Sequence, residues 1–286
     1  MRFEIITIFP GFFDSIFEHG IVRRAQAEGL VGIGVHDLRA FTHDRHRTVD
    51  DRPFGGGEGM VLKPEPLAEA LSALGIESKR KSEQGQKRNL RSASEETATS
   101  GTRVILLSAQ GRRFTQTAAR ELSKAERVVL ICGRYEGVDE RINDLYCDVE
   151  LSIGDYVLSG GELAAAVVVD TVMRLVPGVL GNEASGEFES FGVADAEIDS
   201  DEDGVPRSQH GAGGLLDYPH YTRPAEFAGL RAPEVLMNGD HLQIRKWRRE
   251  QQLRKTLMNR PDLLEGAALS EEDRRLLDAI VGEGRA

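Results

Sequence analysis

Glycines follow three short apolar runs in the middle of the chain, a pairing typical of strands that end in binding loops. The runs and the segments they enter are 104–107 before 108–111, 128–132 before Gly133, and 149–153 before Gly154. Glycine lets a ligand approach the backbone closely, and ligands of α/β sheets bind at the strand ends. We therefore expect one pocket lined largely by backbone amides and carbonyls, suited to a cofactor.

The spacing of these glycines argues against two common phosphate-binding loops. No G-x-G-x-x-G follows a strand, and no G-x-x-x-x-G-K-S/T occurs in the chain. The sequence therefore predicts neither a dinucleotide-binding loop nor a P-loop, and phosphate is not the expected ligand. For any single segment, an ordinary tight turn of a parallel α/β domain is the alternative.

A second segment that could do chemistry is the charged stretch 41–60. It combines histidines, arginines and aspartates with a run of glycines, which favours an RNA-facing loop over a solvated surface turn. The candidates for contact with RNA are His46, Asp50, Arg52 and Gly59. His43 and His46 form an H-x-x-H pair without a third ligand motif, so no metal site is predicted.

The elements that must position these segments indicate a parallel α/β domain. Strands at Arg2–Ile8 and Val31–Asp37, with a helix at Gly20–Glu28 between them, give a β-α-β opening. A later helix, Gly161–Val176, carries Arg174 in its last turn. An arginine there commonly interacts with the helix dipole, which is the structural alternative to a catalytic role.

The composition changes twice along the chain. Residues 77–102 are polar and almost free of large apolar groups, which predicts a mobile surface insertion. Residues 182–206 hold nine carboxylates and no base, and without them the formal net charge of -11 becomes -2. The acidic total therefore does not exclude a nucleic-acid partner. The expected divisions are a domain at 1–181, an acidic linker with an insertion at 182–217, and a smaller domain at 218–286.

The C-terminal part contains a strongly basic predicted helix, Asp240–Arg260. Beyond Asp240 as its cap, it carries seven Lys and Arg residues against one acid, Glu250, and such a helix can lie along an RNA backbone. Arg245 and Arg248 are the candidates for that contact. Trp247 either stacks on a base or packs on the apolar face of the helix.

Cysteine content and the N-terminus bear on the compartment. Two cysteines, Cys132 and Cys147, do not suggest a disulfide framework and favour a reducing environment. The N-terminus lacks a basic region followed by an apolar stretch, and the longest apolar run is far short of a membrane span. We expect a cytoplasmic protein with no membrane partner.

Six motifs give the chain a specific family resemblance. They are the segment 41–60, L-S-A-Q-G at 107–111, C-G-R-Y-E-G-V-D-E-R at 132–141, S-I-G-D-Y-V-L-S-G-G-E-L at 152–163, P-G-V-L-G at 177–181 and H-Y-T-R-P at 220–224. In these motifs and their order the chain resembles the bacterial tRNA (guanine-N1)-methyltransferases, the TrmD family of the SPOUT superfamily. The resemblance implies an α/β fold, a SPOUT-type parallel sheet with a deep trefoil knot, plus a small C-terminal all-α domain that binds tRNA.

The resemblance also implies an activity and its partners. The reaction is S-adenosylmethionine-dependent methylation of N1 of the guanosine 3′ of the anticodon, position 37 of tRNA, with Mg2+ as a possible further cofactor. The partner would be tRNA, and the enzyme a homodimer whose active site is shared across subunits. Another SPOUT enzyme that methylates a ribose 2′-OH, or a non-catalytic RNA-binding module, are the alternatives.

Matched residue by residue, the resemblance assigns site residues. The residues that would line the cofactor pocket are Leu107, Ser108, Gly133, Tyr135, Glu136, Gly137, Ile153, Gly154, Tyr156, Leu158 and Gly161. Arg174 aligns with the family's catalytic arginine. Glu189 stands where the family has an aspartate that acts as general base. Asp195 is the second candidate for the base, and the alternative is that Glu189 is only one more acid of a flexible acidic linker. Leu106 and Ala109 replace a tyrosine and a proline that many relatives have, on the adenosine side.

Overall fold

The computed structural model describes residues 1–80, 101–181, 189–192 and 213–283. The chain forms two compact units, 1–181 and 182–286. Most of the predicted insertion at 77–102, most of the acidic segment and the fallback base Asp195 lie outside the described residues.

A five-stranded parallel sheet forms the centre of the first unit. Its strands are β1 (Arg2–Thr7), β2 (Gly32–Asp37), β5 (Thr102–Arg113), β6 (Arg127–Cys132) and β7 (Val149–Ser152). Their order across the sheet is β2-β1-β6-β5-β7. A separate antiparallel pair consists of β3 (Asp50–Asp51) and β4 (Val61–Leu62). The predicted parallel α/β class is confirmed.

Helices cover both faces of the sheet. They are α1 (Gly20–Ala27), α2 (Pro64–Ala73), α3 (Gln116–Ser123), α4 (Glu140–Tyr146) and α5 (Glu162–Met173). Buried residues of α1, α3 and α5 pack in one core with Val128 and Leu130 of β6. Those of α2 and α4 pack in the other with Val129 and Ile131. A strand buried on both faces is apolar without alternation, which explains the continuous run in β6.

The end of β5 differs from the sequence expectation. We expected Ser108–Gly111 to be a loop that ends the strand, but β5 continues to Arg113. Leu107 and Arg112 both pair with Leu151, so the four residues between them bulge out of the ladder. The polar bulge resembles a loop in sequence because it is not buried, while pairing with β7 resumes beyond it.

The second unit contains helices and a short ribbon. Its elements are β8 (Glu226–Phe227), β9 (Leu230–Arg231), α6 (His241–Asn259), α7 (Asp262–Glu265) and α8 (Glu271–Glu283). The antiparallel ribbon departs from the all-α expectation. Leu215, Leu253 and Ile280 form the core of this unit. Trp247 is half-buried, and its ring lies 6.2 Å from the ring of Tyr221.

A buried ion pair joins α6 to α8. Arg249 donates from Nε to Oδ1 of Asp273 at 2.7 Å and from Nη2 to Oδ2 at 3.0 Å. Ser270 and Asp273 also exchange backbone-to-side-chain hydrogen bonds of 3.0 and 3.1 Å, the capping box of α8. Burial alone would raise the pKa of Asp273, but the hydrogen bonds and charge of Arg249, with those of Ser270, hold it below its usual value.

We expect Asp273→Asn to destabilise the second unit by about 3 kcal/mol, because it leaves the Arg249 charge buried without its partner. The pKa of Asp273 is lower in the folded protein than in the unfolded chain, where it is about 3.9. The ion pair therefore stabilises the folded unit at pH values above about 3.9, and this stabilisation is lost as the pH falls through the folded pKa. Fluorescence of the single tryptophan, Trp247 on α6, during urea unfolding measures both effects. The exposed pair of Glu271 and Arg275 is the control, and an equal loss in Glu271→Gln would contradict the prediction.

Candidate functional site

The ends of β5, β6 and β7 meet at one pocket of about 400 Å³. Its wall comes from the bulge of β5, the loop after β6, and the segment from β7 to the start of α5. The eleven residues expected around a cofactor all lie on this wall: Leu107, Ser108, Gly133, Tyr135, Glu136, Gly137, Ile153, Gly154, Tyr156, Leu158 and Gly161. The carboxyl ends of β5, β6 and β7 meet here because these strands are parallel neighbours in one sheet. Contact of these residues with a cofactor stays a prediction.

The loop after β6 has an unusual backbone. Tyr135 has a φ of 60° and Gly137 a φ of 136°, and the N–H of Gly137 donates to the carbonyl of Arg134 at 3.0 Å. A positive φ is uncommon for a residue other than glycine, and such strain is often found at binding sites. This turn leaves the side chain of Tyr135 half-exposed at the pocket.

The segment before α5 passes directly over the loop after β6. The N–H of Gly161 donates to the carbonyl of Gly133 at 2.9 Å. A Cβ added at Gly161 would lie 2.7 Å from Cα of Cys132, a contact that side chains do not tolerate. Gly111 is equally restricted, because its added Cβ would lie 2.5 Å from the backbone of Glu150. Glycine is therefore required where these segments cross.

A polar network lies behind the pocket wall, and sequence reasoning missed it. Thr7 donates from Oγ1 to Oε1 of Glu162 at 2.7 Å. Arg134 donates from Nε to Oε2 of Glu162 at 3.1 Å and from Nη1 to the carbonyl of Ser159 at 3.0 Å. Its guanidinium also lies 4.6 Å from the centre of the Phe9 ring. The glycine motifs that contain Arg134 and Glu162 were visible in the sequence, but their pairing across the fold was not.

The ionisable groups on the described pocket wall are mostly acidic. Three carboxylates, Glu136, Glu140 and Glu150, line it together with one guanidinium, that of Arg134. A cleft lined mainly by one sign of charge attracts the opposite sign. The pocket therefore favours a ligand that carries positive charge.

The two thiols do not supply a nucleophile. Cys132 and Cys147 are both buried. Burial raises the pKa of Cys132 well above its ordinary value and raises the pKa of Cys147 to about 12. Burial and a raised pKa both disfavour the thiolate form that acts as a nucleophile.

The charged segment 41–60 is attached to the pocket wall through its C-terminal end. The N–H of Glu136 donates to the carbonyl of Met60 at 3.0 Å, and that of Leu62 donates to the carbonyl of Gly137 at 3.0 Å. Gly59 has a φ of 81°, and an added Cβ would lie 2.4 Å from Oε1 of Glu136. Of the four residues expected to contact RNA, Gly59 thus lies against the pocket.

The other three lie along the same hairpin. Asp50 is half-buried and pairs with Leu62 in the β3–β4 ribbon, while His46 and Arg52 are exposed. The turn before the ribbon is organised by Asp44, which accepts hydrogen bonds from His46 N and from both N and Oγ1 of Thr48. The Thr48 side-chain and backbone hydrogen bonds are the main cause of the lowered pKa of Asp44.

Phe54, at the tip of this hairpin, was not among the sequence candidates. Its side chain is 99% exposed, and it precedes glycines 55, 56 and 57, which all have positive φ. A fully exposed aromatic ring beside exposed arginines is suited to stacking on a nucleotide base. The sequence signal was the unusual position of a large apolar residue within a charged, glycine-rich segment.

The structure does not bring Arg174 to the pocket of its own chain. Arg174 is the C-cap residue of α5, whose other end lines the pocket. The helix has 12 residues, so its two ends are about 18 Å apart. The position of Arg174 was correctly expected at the helix end, but its distance from the cofactor wall was not visible in the sequence.

Glu189 belongs to the second unit. It is half-buried and starts a turn in which its carbonyl accepts from the N–H of Gly192 at 2.9 Å. Ser190 accepts a hydrogen bond from the N–H of Asp217 at 2.9 Å, and the N–H of Phe191 donates to the carbonyl of Leu215 at 2.8 Å. Glu189 is therefore anchored to the body of its unit.

Arg245 and Arg248 lie on the first half of α6. Arg248 is exposed, and its guanidinium lies 4.8 Å from the centre of the Tyr218 ring. Nearby, Nε2 of His220 lies 3.0 Å from Oδ2 of Asp217. Burial raises the pKa of Tyr218 despite the adjacent Arg248. Guanidinium and aromatic groups placed together are typical of surfaces that bind RNA.

The described residues contain neither a metal-binding cluster nor a membrane-spanning helix. In that part of the chain, no group of three or more His, Cys, Asp and Glu side chains could hold a metal ion. None of the helices described there is long and apolar enough to cross a membrane.

Comparisons with known proteins agree on one family. The model of the family described as tRNA (Guanine-1)-methyltransferase TrmD matches residues 1–266. The tRNA (guanine-N(1)-)-methyltransferase of Koribacter versatilis is 56% identical over 277 residues, 97% of this chain and 97% of that protein. Proteins of the same name from Geobacter sulfurreducens and Dehalococcoides mccartyi are each 45% identical and cover 99% of this chain, with 99% and 98% of their own lengths covered.

We expect Gly161→Ala to lower the free energy of unfolding of the first unit by about 1–3 kcal/mol, because the added Cβ overlaps the backbone of Cys132. Gly101→Ala is the matched control, since nothing lies within 4 Å of a Cβ at that position. Chemical denaturation followed by circular dichroism measures both variants. Equal stability of the two would show that the crossing of the segments is looser than described.

Proposed function

The chain belongs to the tRNA (guanine-1)-methyltransferase family, and we propose that it transfers a methyl group from S-adenosylmethionine to N1 of guanosine 37 in tRNA. The main support for this proposal is that the pocket and the charged hairpin of segment 41–60 are hydrogen-bonded to each other. A backbone-lined pocket with an acidic wall and an arginine-rich hairpin share the hydrogen bonds between Met60–Leu62 and Glu136–Gly137. The enzyme class follows from the family, and the position in tRNA is proposed from the resemblance.

The pocket fits the expected methyl donor. A volume of about 400 Å³ lies within the range of about 300–1,000 Å³ for small-molecule sites. Glycines at 133, 137 and 161 leave backbone groups accessible for the adenosine and amino-acid parts. Three carboxylates against one guanidinium suit the positive sulfonium. When bound, S-adenosylmethionine supplies a methyl group activated by that charge.

The residues of the chain provide the acid–base part of the reaction. Guanine N1 holds a proton in neutral water, so a carboxylate must remove it as the methyl group approaches. We assign this role to Glu189. Loss of the proton places negative charge on O6, which a positioned guanidinium stabilises as it develops. We assign that role to Arg174.

A homodimer with a shared active site would bring these groups together. Arg174 lies about 18 Å along α5 from the pocket of its own chain, so a second subunit is needed for an arginine at this position to reach a bound guanine. Apolar surface supports such a dimer. Leu163 and Val167, one turn apart on α5, are 51% and 43% exposed, and Val157 beside the pocket is 86% exposed.

Other finer features of the family are also proposed here. The crossing of Gly161 over Gly133 supports a SPOUT-type trefoil knot in the domain 1–181. The basic and aromatic groups on α6 support a tRNA-binding role for the second unit. The expected linker 182–217 contributes Leu215 to the core of that unit. A cytoplasmic location accords with a tRNA substrate. Mg2+ is expected from the resemblance as a possible cofactor, and no step is assigned to it.

The proposal is tested by methyl transfer from labelled S-adenosylmethionine to a tRNA transcript with guanosine 37, beside an otherwise identical transcript with adenosine 37. We expect incorporation only in the first, with a reverse-transcription stop at position 37 because methylation at N1 blocks the pairing edge. Incorporation without a stop would indicate ribose methylation. Binding of S-adenosylmethionine with no incorporation into either RNA would favour a non-catalytic RNA-binding module.

We expect Arg174→Ala and Glu189→Ala each to lower kcat at least about a hundredfold while the Kd for S-adenosylmethionine, measured by calorimetry, stays unchanged. Glu189→Asp should retain activity, since it keeps the carboxylate at a reach shorter by one methylene. Asp195→Asn is the control for the fallback base. Loss of activity in Asp195→Asn with full activity in Glu189→Ala would move the base to Asp195.

A further inference from the structure

We propose that Glu162 is a positioning residue for the methyl-donor pocket, acting through Arg134 on both the shape and the charge of the wall. The inference rests on the proposed function. It concerns a buried carboxylate that does not itself line the pocket and to which no role in the reaction has been given above.

Glu162 is held by groups from three parts of the fold. It is 1% exposed and is the first residue of α5, where a negative charge interacts favourably with the helix dipole. Thr7 at the end of β1 donates to Oε1, Arg134 after β6 donates from Nε to Oε2 at 3.1 Å, and Nη2 of Arg134 lies 2.9 Å from Oε2 in the ion pair. A buried carboxylate with this many donors has one well-defined position.

Arg134 connects Glu162 to the pocket wall. Its Nη1 donates to the carbonyl of Ser159, and residue 134 forms an antiparallel bridge with Gly160. Its guanidinium fits so closely that a Cβ added at Gly160 would lie 2.1 Å from Nε of Arg134. The ion pair thereby fixes the 158–161 backbone that forms one side of the pocket.

The pair also sets the charge that a ligand meets. Arg134 is the one cationic side chain on the described wall, whose carboxylates are Glu136, Glu140 and Glu150. With the carboxylate of Glu162 behind it, the guanidinium is paired at the distance of one hydrogen bond. Without that carboxylate the Arg134 charge would face the sulfonium uncompensated, and like charges in a partly buried site repel strongly.

The test compares S-adenosylmethionine with S-adenosylhomocysteine, which keeps the adenosine and amino-acid parts but has a neutral thioether. Calorimetry gives the Kd of each for the wild type and for Glu162→Gln, which keeps the shape of the side chain and removes its charge. We expect Glu162→Gln to raise the Kd for S-adenosylmethionine by a factor at least fivefold greater than the factor by which it raises the Kd for S-adenosylhomocysteine. Arg134→Met should shift the ratio of the two Kd values in the opposite direction, and the double variant should return it close to the wild-type ratio.

Glu4→Gln is the matched control. Glu4 is 2% exposed, lies in β1 and is paired with Arg2 and with His36 at 2.6 Å, so its substitution removes a buried carboxylate charge that is not on the pocket wall. We expect no change in the ratio of the two Kd values in this variant.

If Glu162 had only a structural role, Glu162→Gln would raise the Kd values of both ligands by the same factor. An unchanged ratio of the two Kd values in this variant would overturn the proposal. If Glu162→Gln does not fold, an unchanged ratio in Arg134→Met would overturn it as well. Failure of the wild type to bind either ligand would overturn the proposed methyl donor and this inference together. Binding by the wild type with unaltered ratios in the variants would overturn the inference alone.

Discussion

The close approach of two backbone segments at Gly161 and Gly133 is the constraint on which the rest of this structure depends. The hydrogen bond between them, 2.9 Å long, leaves no space for a side chain at residue 161. Because α5 starts at the next residue, this contact determines where that helix begins and places Glu162 beside Thr7 and Arg134. The pocket exists because the ends of β5, β6 and β7 are held together there, and backbone contacts leave no room for a Cβ at Gly111 and Gly161.

The same contact explains why sequence reasoning succeeded for one part of the site and failed for another. Apolar runs that stop at Gly133 and Gly154 mark strand ends, and parallel strands bring their carboxyl ends to one edge, so a shared pocket could be predicted. Local pattern carries no information on which distant groups pair. The Glu162–Arg134 pair is separated by 28 residues and the Glu162–Thr7 hydrogen bond by 155, so neither could be predicted. The bulge at 108–111 was mistaken for a loop because exposed polar residues have the same composition in both.

The distance between Arg174 and the pocket is a second feature that the sequence motifs could not predict. Arg174 and Gly161 belong to neighbouring motifs and border the same helix, yet one end of α5 is at the pocket and the other is about 18 Å away. A resemblance can align both residues correctly and still leave open which chain's pocket each one serves. The aliphatic surface of α5 at Leu163 and Val167 lies between these two ends. In the proposed homodimer, this surface would pack against a second copy and α5 would connect two pockets.

The hairpin that carries Asp50 and Phe54 is hydrogen-bonded to the loop after β6. Its strand β4 is hydrogen-bonded to residues 136–139, so the loop proposed to hold the cofactor and the loop proposed to contact RNA share one set of backbone bonds. Gly59 fits against Glu136 only because it has no side chain. A shift of either loop must therefore be accommodated by the other. Such an arrangement ties the position of a methyl donor to that of the base it modifies, because in-line transfer tolerates little error in the distance between the reacting atoms.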